Sequence, residues 1–425
     1  MGYHFLSRYF KKSRFSEAGR LLPKWLECDE SEVAAMQLER LQSVWQDAVA
    51  NIPYYAEMVK RGEAPGQITS FAMFSETIPI STRTALKAKS DKLLRRDPPH
   101  HLSATSGSTG NPFEFGVFRD EGEVNAVNQI VGQMANGLGI DDRTFWIWGH
   151  AYTLGGGMKG KWKLLERRLK DKCLNYVRVS AYHLDPQSIG RYVDLMRRCK
   201  PQVVLGYSAA LDLLARSNQA LKPDWDIKFV LATAERLPFP DSRAVISGYF
   251  GAPLIMEYGA VDFGVVSYER GVNSLSHVFW WSHYVEVSHT GEIIVTPLYH
   301  RYLPLIRYNT GDQASEWRRF AHGAVREMRV VGRLDDFIQL PDGSVIHGQG
   351  LFHCIRHVNS IKGAQLIAND DRFTLTLITD PLTAAETESI KIRLKNLNPA
   401  LGNIPIQVVE DLQTNRAGKR SWIVK

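Results

Sequence analysis

Residues 104–112 read Ala104-Thr-Ser-Gly-Ser-Thr-Gly-Asn-Pro112, with four hydroxyl side chains and two glycines in nine positions. Glycine lets backbone N–H groups approach an anion closely, and hydroxyls add donors, so such a loop is suited to wrapping a phosphate. It is not a Walker loop, because no Gly-Lys-Ser/Thr follows at the required spacing. The same composition also describes a plain linker. What decides between the two is the rest of the chain.

Downstream of the loop, short β-type runs alternate with helical stretches. Phe145-Trp-Ile-Trp148, Val203-Val-Leu205, Phe229-Val-Leu231 and Leu254-Ile-Met256 are strand candidates, and Pro186–Lys200 and Ala209–Leu221 suit helices between them. That alternation predicts an α/β domain. Upstream, residues 1 to about 95 read as mostly helical. Asp29 with Glu32 starts a helix, and Ala34, Leu38, Leu41, Trp45 and Ala48 recur at helical spacing along one face. Asn51-Ile-Pro53 stops it, since proline disfavours helix in the residue before it. After Gly332-Arg-Leu-Asp-Asp336 the texture changes. Phe337–Leu340 and Ser344–Ile346 flank the turn Pro341-Asp-Gly343 as a hairpin, and a helix is expected over Leu351–Val358. Gln365–Ala368 and Phe373–Ile378 are strands, Thr383-Ala-Ala-Glu386 is a capping box, and Ile406–Val409 is a last strand. The division expected is residues 1–334 and a compact α+β module over 335–425.

The whole chain has 425 residues, 44% of them hydrophobic and 23% charged, a balance that describes globular domains and excludes disordered or fibrous classes. No apolar run approaches the length of a membrane-spanning helix. Cys28, Cys173, Cys199 and Cys354 are scattered with no CxxC pair, which argues against structural zinc and suits a reducing cytoplasm. No secretory signal is expected at the N-terminus. Formal net charge is +7, and residues 1–26 hold six basic residues against one acid, with a second basic cluster over Lys159–Arg178. Such patches suit an anionic membrane, nucleic acid or a phosphorylated substrate, or simply a solvated helix face. No helix-turn-helix, zinc-finger or RNP signature supports nucleic acid.

Four segments follow the loop in a fixed order: Glu257-Tyr-Gly-Ala-Val-Asp262, Arg307-Tyr-Asn-Thr-Gly-Asp312, Gly332-Arg-Leu-Asp-Asp336 and Asn415-Arg-Ala-Gly-Lys-Arg420. At these points the sequence resembles the adenylate-forming superfamily of acyl-CoA synthetases and peptide-synthetase adenylation domains. Asn51-Ile-Pro-Tyr-Tyr55, Val203-Val-Leu-Gly-Tyr-Ser-Ala-Ala210 and the early Ser/Gly/Thr loop look most like its phenylacetate–CoA ligase branch. Within that branch the sequence is similar to the CapK-type capsule-biosynthesis proteins. Each motif is weak alone, and five in order over residues 50 to 425 are specific.

The resemblance implies an α/β fold: a large multi-layer adenylate-forming N-terminal domain and a small mobile α+β C-terminal domain. It implies that Thr105, Ser106, Gly107, Ser108, Thr109 and Gly110 hold the ATP phosphates and that Glu257, Tyr258 and Gly259 belong to the nucleotide site. Tyr258 would lie against adenine, and Asp312 would accept from both ribose hydroxyls. Arg333 would reach the ribose or phosphates, and Lys419 would bridge the acid and the α-phosphate. Asp262 would ligate Mg²⁺, and Asp335 would be the hinge between domains. Trp148, His150, Tyr152, Tyr207, Ser208 and Ala234 are candidates for the acid pocket, with core packing as the competing explanation for the aromatics and for His150.

The implied activity is Mg²⁺- and ATP-dependent conversion of a carboxylic acid to an acyl-adenylate, then transfer to an acceptor, by default coenzyme A. An amine or sugar acceptor in surface-polysaccharide assembly is the rival, and a non-catalytic nucleotide-binding accessory protein is the alternative of another class. Two departures bear on this choice. Asn111 stands where the family's loop has lysine, and Tyr258-Gly-Ala-Val-Asp262 replaces the usual Tyr-Gly-x-Thr-Glu. A cytoplasmic protein without nucleic-acid partners is expected, with peripheral membrane contact through the basic N-terminus as a further candidate.

Overall fold

The computed structural model describes residues 2–95, 97–104, 114–148, 158–181, 186–217, 222–332, 337–339, 345–347, 351, 354–355, 358, 360–369, 372–413 and 423–424. The chain opens with helices α1 (Gly2–Leu26), α2 (Glu30–Asn51), α3 (Pro53–Lys60), α4 (Phe71–Thr77) and α5 (Arg83–Lys87), and the two-residue strand β1 (Ser81–Thr82) precedes α5. Asp29 caps α2 by accepting from the backbone N–H groups of Ser31 and Glu32 at 2.8 and 3.0 Å. Ile52 is extended, as the following Pro53 requires, and Pro53 opens α3. The buried stripe of α2 is Val33, Gln37, Leu41, Val44, Trp45 and Ala48. It lies one position N-terminal of the expected stripe at its start, so Ala34 and Leu38 are only half-buried. The reason is tertiary: the Gln37 amide donates to the carbonyls of Trp280 and His283 at 2.8 and 3.3 Å, which turns a polar residue into the core.

Strands β2 (His101–Ala104) and β3 (Glu114–Val117) form an antiparallel hairpin, with Ala104 opposite Glu114. Then α6 (Arg119–Ala135) leads into the expected alternation: β4 (Thr144–Trp148), α7 (Met158–Cys173), β5 (Tyr176–Ser180), α8 (Pro186–Cys199), β6 (Val203–Tyr207), α9 (Ser208–Ser217), β7 (Phe229–Thr233), α10 (Ser242–Phe250) and β8 (Leu254–Ala260). These five strands are parallel, in the order β5-β4-β6-β7-β8. Both faces of the strands are covered, as a parallel sheet needs. Phe145, Ile147, Val204, Val230 and Leu254 pack against α8, α9 and α10. The alternate positions Val203, Leu205, Phe229, Leu231 and Ile255 belong to the other core, with Trp45 and Val131 from the helices of the opposite layer.

The sheet continues through antiparallel strands β9 (Gly264–Glu269), β10 (Ser276–Val278), β11 (His283–Val287), β12 (Glu292–Pro297), β13 (Tyr308–Arg319) and β14 (Val325–Gly332), in the order β8-β9-β10-β14-β13-β12-β11. Beyond it, β15 (Phe337–Gln339) and β16 (Val345–His347) form the expected hairpin, whose turn lies outside the described residues. The remaining strands β17 (Ile361–Asn369), β18 (Arg372–Thr379), β19 (Ile406–Val408) and β20 (Ile423–Val424) make a separate four-stranded sheet. The helix Ala384–Leu397 has its capping box in place, with Thr383 and Glu386 exchanging hydrogen bonds. Leu351, Cys354, Ile355 and Val358, spaced as on one helix face, join Leu366, Leu375, Leu377, Ile390 and Leu394 in a core separate from the others.

Half of the basic residues of α1 are used internally. The Arg8 guanidinium pairs with Asp141, and Arg14 donates to both oxygens of Glu123 at 2.6 and 2.8 Å. Lys11 is buried, with its ammonium donating to the carbonyls of Ile140 and Asp142 and its pKa pushed down to about 8 by that burial. Among the described residues no helix is long and apolar enough to cross a membrane.

Candidate functional site

In open sheets with parallel strands, ligand-binding groups gather at the carboxyl ends of those strands. Here those ends carry Trp148 on β4, Tyr207 on β6, Thr233 and Ala234 on β7, and Glu257 and Tyr258 on β8. Strand pairing alone sets that row, because β4, β6, β7 and β8 run in the same direction in nearly matched register.

The antiparallel strands bring a second row to the first. Tyr258 donates its hydroxyl to Asp312 Oδ2 at 3.0 Å, and Tyr308 donates to Asp262 Oδ2 at 3.0 Å. Two tyrosine–aspartate bonds thus cross between segment 257–262 and segment 308–312. Along the sheet β8 and β13 are four strand spacings apart, about 19 Å if the sheet were flat. A tyrosine cannot bridge that distance, so the sheet must curl back to bring Asp312 over the end of β8. Asp312 is held further by its own N–H, which donates to Thr310 Oγ1 at 3.1 Å, while the Thr310 hydroxyl donates to the Ile293 carbonyl at 3.0 Å. Gly311 supplies the left-handed backbone between them, at φ +78°.

Behind Tyr258 the Glu257 carboxyl is buried. It accepts from Thr233 Oγ1 at 2.7 Å, from Gln129 at 3.3 Å and from the Tyr268 hydroxyl, and none of these partners is a cation. Burial therefore pushes its pKa up against the pull of three hydrogen bonds. It ties β7, β8, β9 and α6 together beneath the nucleotide candidates. Gly259 allows the close approach of β9: a Cβ there would sit 2.5 Å from the Gly264 carbonyl.

Asp262 lies in the short turn between β8 and β9, and the turn is fixed from below. Arg301 donates to the Asp262 carbonyl at 2.7 Å and to Tyr299 at 3.0 Å, and pairs with Glu121 at 3.0 Å, both side chains being 3% exposed. Next to it, the ring Nε2 of buried His283 bonds the Phe263 carbonyl at 2.9 Å, and its Nδ1 faces Ser282 Oγ at 3.0 Å. Asn125 accepts from the Val265 N–H at 3.0 Å. Gly264, at φ +84°, is the residue the turn demands. One Asp262 oxygen is taken by Tyr308, and among the described residues the other accepts no hydrogen bond. No three His, Cys, Asp or Glu side chains converge as metal ligands among those residues. A single open carboxylate oxygen fits Mg²⁺, which takes few protein ligands and fills the rest with phosphate oxygens and water.

The acid-pocket candidates divide. Trp148 and Tyr207 pack with ring centroids 4.7 Å apart at 48°. Ser208 is fully buried and its hydroxyl donates to the Glu235 carbonyl at 2.8 Å, while the Glu235 carboxyl accepts from the Ala209 N–H at 2.7 Å and caps α9. Burial raises that carboxyl to about 7. Ala234 is exposed and held at φ +70°, a left-handed conformation that a side chain disfavours. His150 and Tyr152 lie outside the described residues. So do Thr105, Ser106, Gly107, Ser108, Thr109, Gly110, Asn111, Arg333, Asp335 and Lys419, although their anchors are visible. β2 ends at Ala104 and β3 begins at Glu114, and β14 ends at Gly332. The segment with Lys419 is tethered at both ends to β17: Gln365 exchanges two 3.0 Å bonds with the Gln413 backbone, and β20 pairs alongside.

Sequence reasoning missed Arg301, Glu121, Gln129 and Tyr268. Each acts through a partner more than ten residues away in sequence, so no local pattern marks it. Arg307 opens a motif yet is structural. It pairs with Glu286 at 2.9 Å and donates to the carbonyls of Ser75 and Ile78.

The fold is that of the adenylate-forming ligases. The chain aligns to 2-hydroxyisobutyryl-CoA ligase, in complex with 2-HIB-AMP and CoA in the thioesterification state, with a TM-score of 0.60 and 18% identity over 94% of this chain and 91% of that one. An open conformation of the same ligase, also with 2-HIB-AMP and CoA, aligns with a TM-score of 0.58 and 17% identity over 95% and 94%. In sequence, the chain is similar to Protein CapK of Staphylococcus aureus, 22% identical over 444 residues that cover 99% of this chain and 94% of that protein. No family model matches the chain.

Proposed function

We propose that this protein is an ATP-dependent ligase that activates a carboxylic acid as its acyl-adenylate and passes the acyl group to an acceptor, by default coenzyme A. The observation that carries the reading is the crossed pair of tyrosine–aspartate bonds, Tyr258–Asp312 and Tyr308–Asp262. It brings two sequence-distant segments to the carboxyl edge of the sheet as one polar group. In this reading Asp312 receives the ribose hydroxyls, Tyr258 flanks adenine over the Glu257 network, and residues 105–110 cradle the phosphates. Asp262 would hold Mg²⁺, which supplies charge neutralisation at the phosphates when bound. Trp148 and Tyr207 would border the acid.

An oxygen of the substrate carboxylate attacks the α-phosphorus, and the bond from that phosphorus to the pyrophosphate oxygen breaks. Lys419 and Arg333 would balance the charge that develops. The acceptor's thiol then attacks the acyl carbon, loses its proton, and AMP departs. Residues 1–334 would form the adenylation domain, and residues 335–425 would move about Asp335 between the two steps. A cytoplasmic setting fits four cysteines that form no disulfide. The rival acceptor class is an amine on a surface-polysaccharide precursor, as the resemblance to capsule-biosynthesis proteins implies.

The test is pyrophosphate release from Mg-ATP with a panel of aryl, fatty, amino and hydroxy acids, 2-hydroxyisobutyrate among them, with and without coenzyme A. Acid-dependent release that collapses in Lys419→Ala supports the ligase, and stimulation by coenzyme A assigns the thioester route. Release without stimulation points to an amine. ATP binding with no turnover for any acid would favour an accessory protein, and no ATP binding would overturn the reading.

A further inference from the structure

Two helices each carry a strong excess of positive charge. Counting Lys and Arg against Asp and Glu, α1 carries six bases and one acid and α7 seven bases and two acids, +5 each. With a total of +7, the remaining residues sum to −3. The two helices pack against one another. On α1, Lys11 is buried, while Arg8 and Arg14 stay at the surface, paired with Asp141 and Glu123. On α7 both acids are paired: Asp171 is buried and accepts from Arg178 at 2.8 Å, with Arg167 at 3.2 Å, and Glu166 pairs with Lys170.

The outward side of α7 sets two leucines among charged side chains. Leu165 and Leu169, one turn apart, are 48% and 58% exposed, while Asp171 is the residue that faces the protein. Arg168 and Lys172 are exposed beside the leucines. On neighbouring α1, Tyr9 and Phe10 are exposed as well, at 71% and 55%. Exposed leucines and aromatics bordered by lysine and arginine are the composition of a helix that lies in a lipid headgroup layer.

We propose that the outward face of α7, flanked by α1, docks the protein on an anionic lipid surface. The positive charge draws the face to anionic headgroups, and the leucines enter the acyl boundary. A polyanion such as nucleic acid would match the charge and leave Leu165 and Leu169 in water, so lipid is the occupant that uses both features. The proposal does not depend on the ligase reading.

The experiment is flotation of the full chain with phosphatidylcholine vesicles, with and without phosphatidylglycerol at about 30%. Binding is expected only to the anionic vesicles and is expected to weaken with salt. Leu165→Asp with Leu169→Asp, and separately Arg168→Glu with Lys172→Glu, should each weaken partition about tenfold, with circular dichroism and ATP binding unchanged. Absence of binding to anionic vesicles, or binding that survives the leucine substitutions, overturns the proposal. Binding to a short DNA duplex that needs the bases and ignores the leucines would assign the face to nucleic acid instead.

Discussion

Replacing Tyr258 with phenylalanine tests the crossed tyrosine–aspartate pair with little other disturbance. The ring stays, and only a hydroxyl is lost. That hydroxyl lies 3.0 Å from Asp312 Oδ2 and 3.3 Å from Thr310 Oγ1. Its proton belongs to the carboxylate, the shorter and charged acceptor, because Thr310 Oγ1 already receives the Asp312 N–H. A hydrogen bond to a charged group contributes about 1.5–3 kcal/mol. Asp312 is half-buried, so water replaces part of the loss, leaving about 1–2 kcal/mol. If Asp312 holds the ribose, Tyr258→Phe should raise KM for ATP about 5- to 30-fold and change kcat little. The assay is initial-rate pyrophosphate release against ATP concentration, with thermal stabilisation by ATP as a readout independent of turnover. Asp312→Asn should be costlier, and the double variant should cost less than the sum of the two, since both remove one bond. A KM within about twofold of wild type, or additive single effects, would refute the reasoning.

Arg301→Met should destabilise the folded chain by about 3–5 kcal/mol, because it leaves Glu121 buried without its cation, and an unchanged midpoint in urea would contradict that. Burial pushes His283 down to about 3, whereas the unfolded chain titrates near about 6.5. Below that pH the unfolded state takes a proton that the folded state refuses, so stability should fall with acidification at up to about 1.4 kcal/mol per pH unit. His277, lowered to about 4, acts in the same direction. The check is therefore the difference between wild type and His283→Gln in melts from pH 7 to 5, where a parallel pair of curves would refute the assignment. Ala234→Gly removes the Cβ that φ +70° disfavours and should be neutral or stabilise by up to about 1 kcal/mol, with Ala234→Val less stable than either, and the reverse order in thermal melts would show that strain is absent there.

Much of the fold was legible because its signals are local. The parallel strands announced themselves as short apolar runs, Phe145–Trp148 through Leu254–Met256, and the structure lengthens them by one to four residues without moving them. Asp29, Pro53 and Thr383 mark helix boundaries by satisfying or removing backbone donors nearby in sequence. The buried face of α2 was misjudged at its start because Gln37 is recruited by carbonyls more than 240 residues away. The basic N-terminus invited a reading as a binding surface, and of its six bases Lys11 proved to be buried while Arg8 and Arg14 pair with acids of this chain at the surface.

By itself the sequence determined the order of elements, the α/β class and the motif positions, since periodicity, capping and proline act over a few residues. It named Tyr258, Asp262 and Asp312 as a set without saying that they touch. Only the curl of the sheet decided that, by carrying β13 over the end of β8 so that each tyrosine finds the other segment's aspartate. The same curl placed Arg301 and His283 beneath the Asp262 turn, where burial turns an ordinary ion pair and an ordinary imidazole into the supports of the site. Burial and long-range hydrogen bonding are properties of the curled sheet, and no window along the chain contains them.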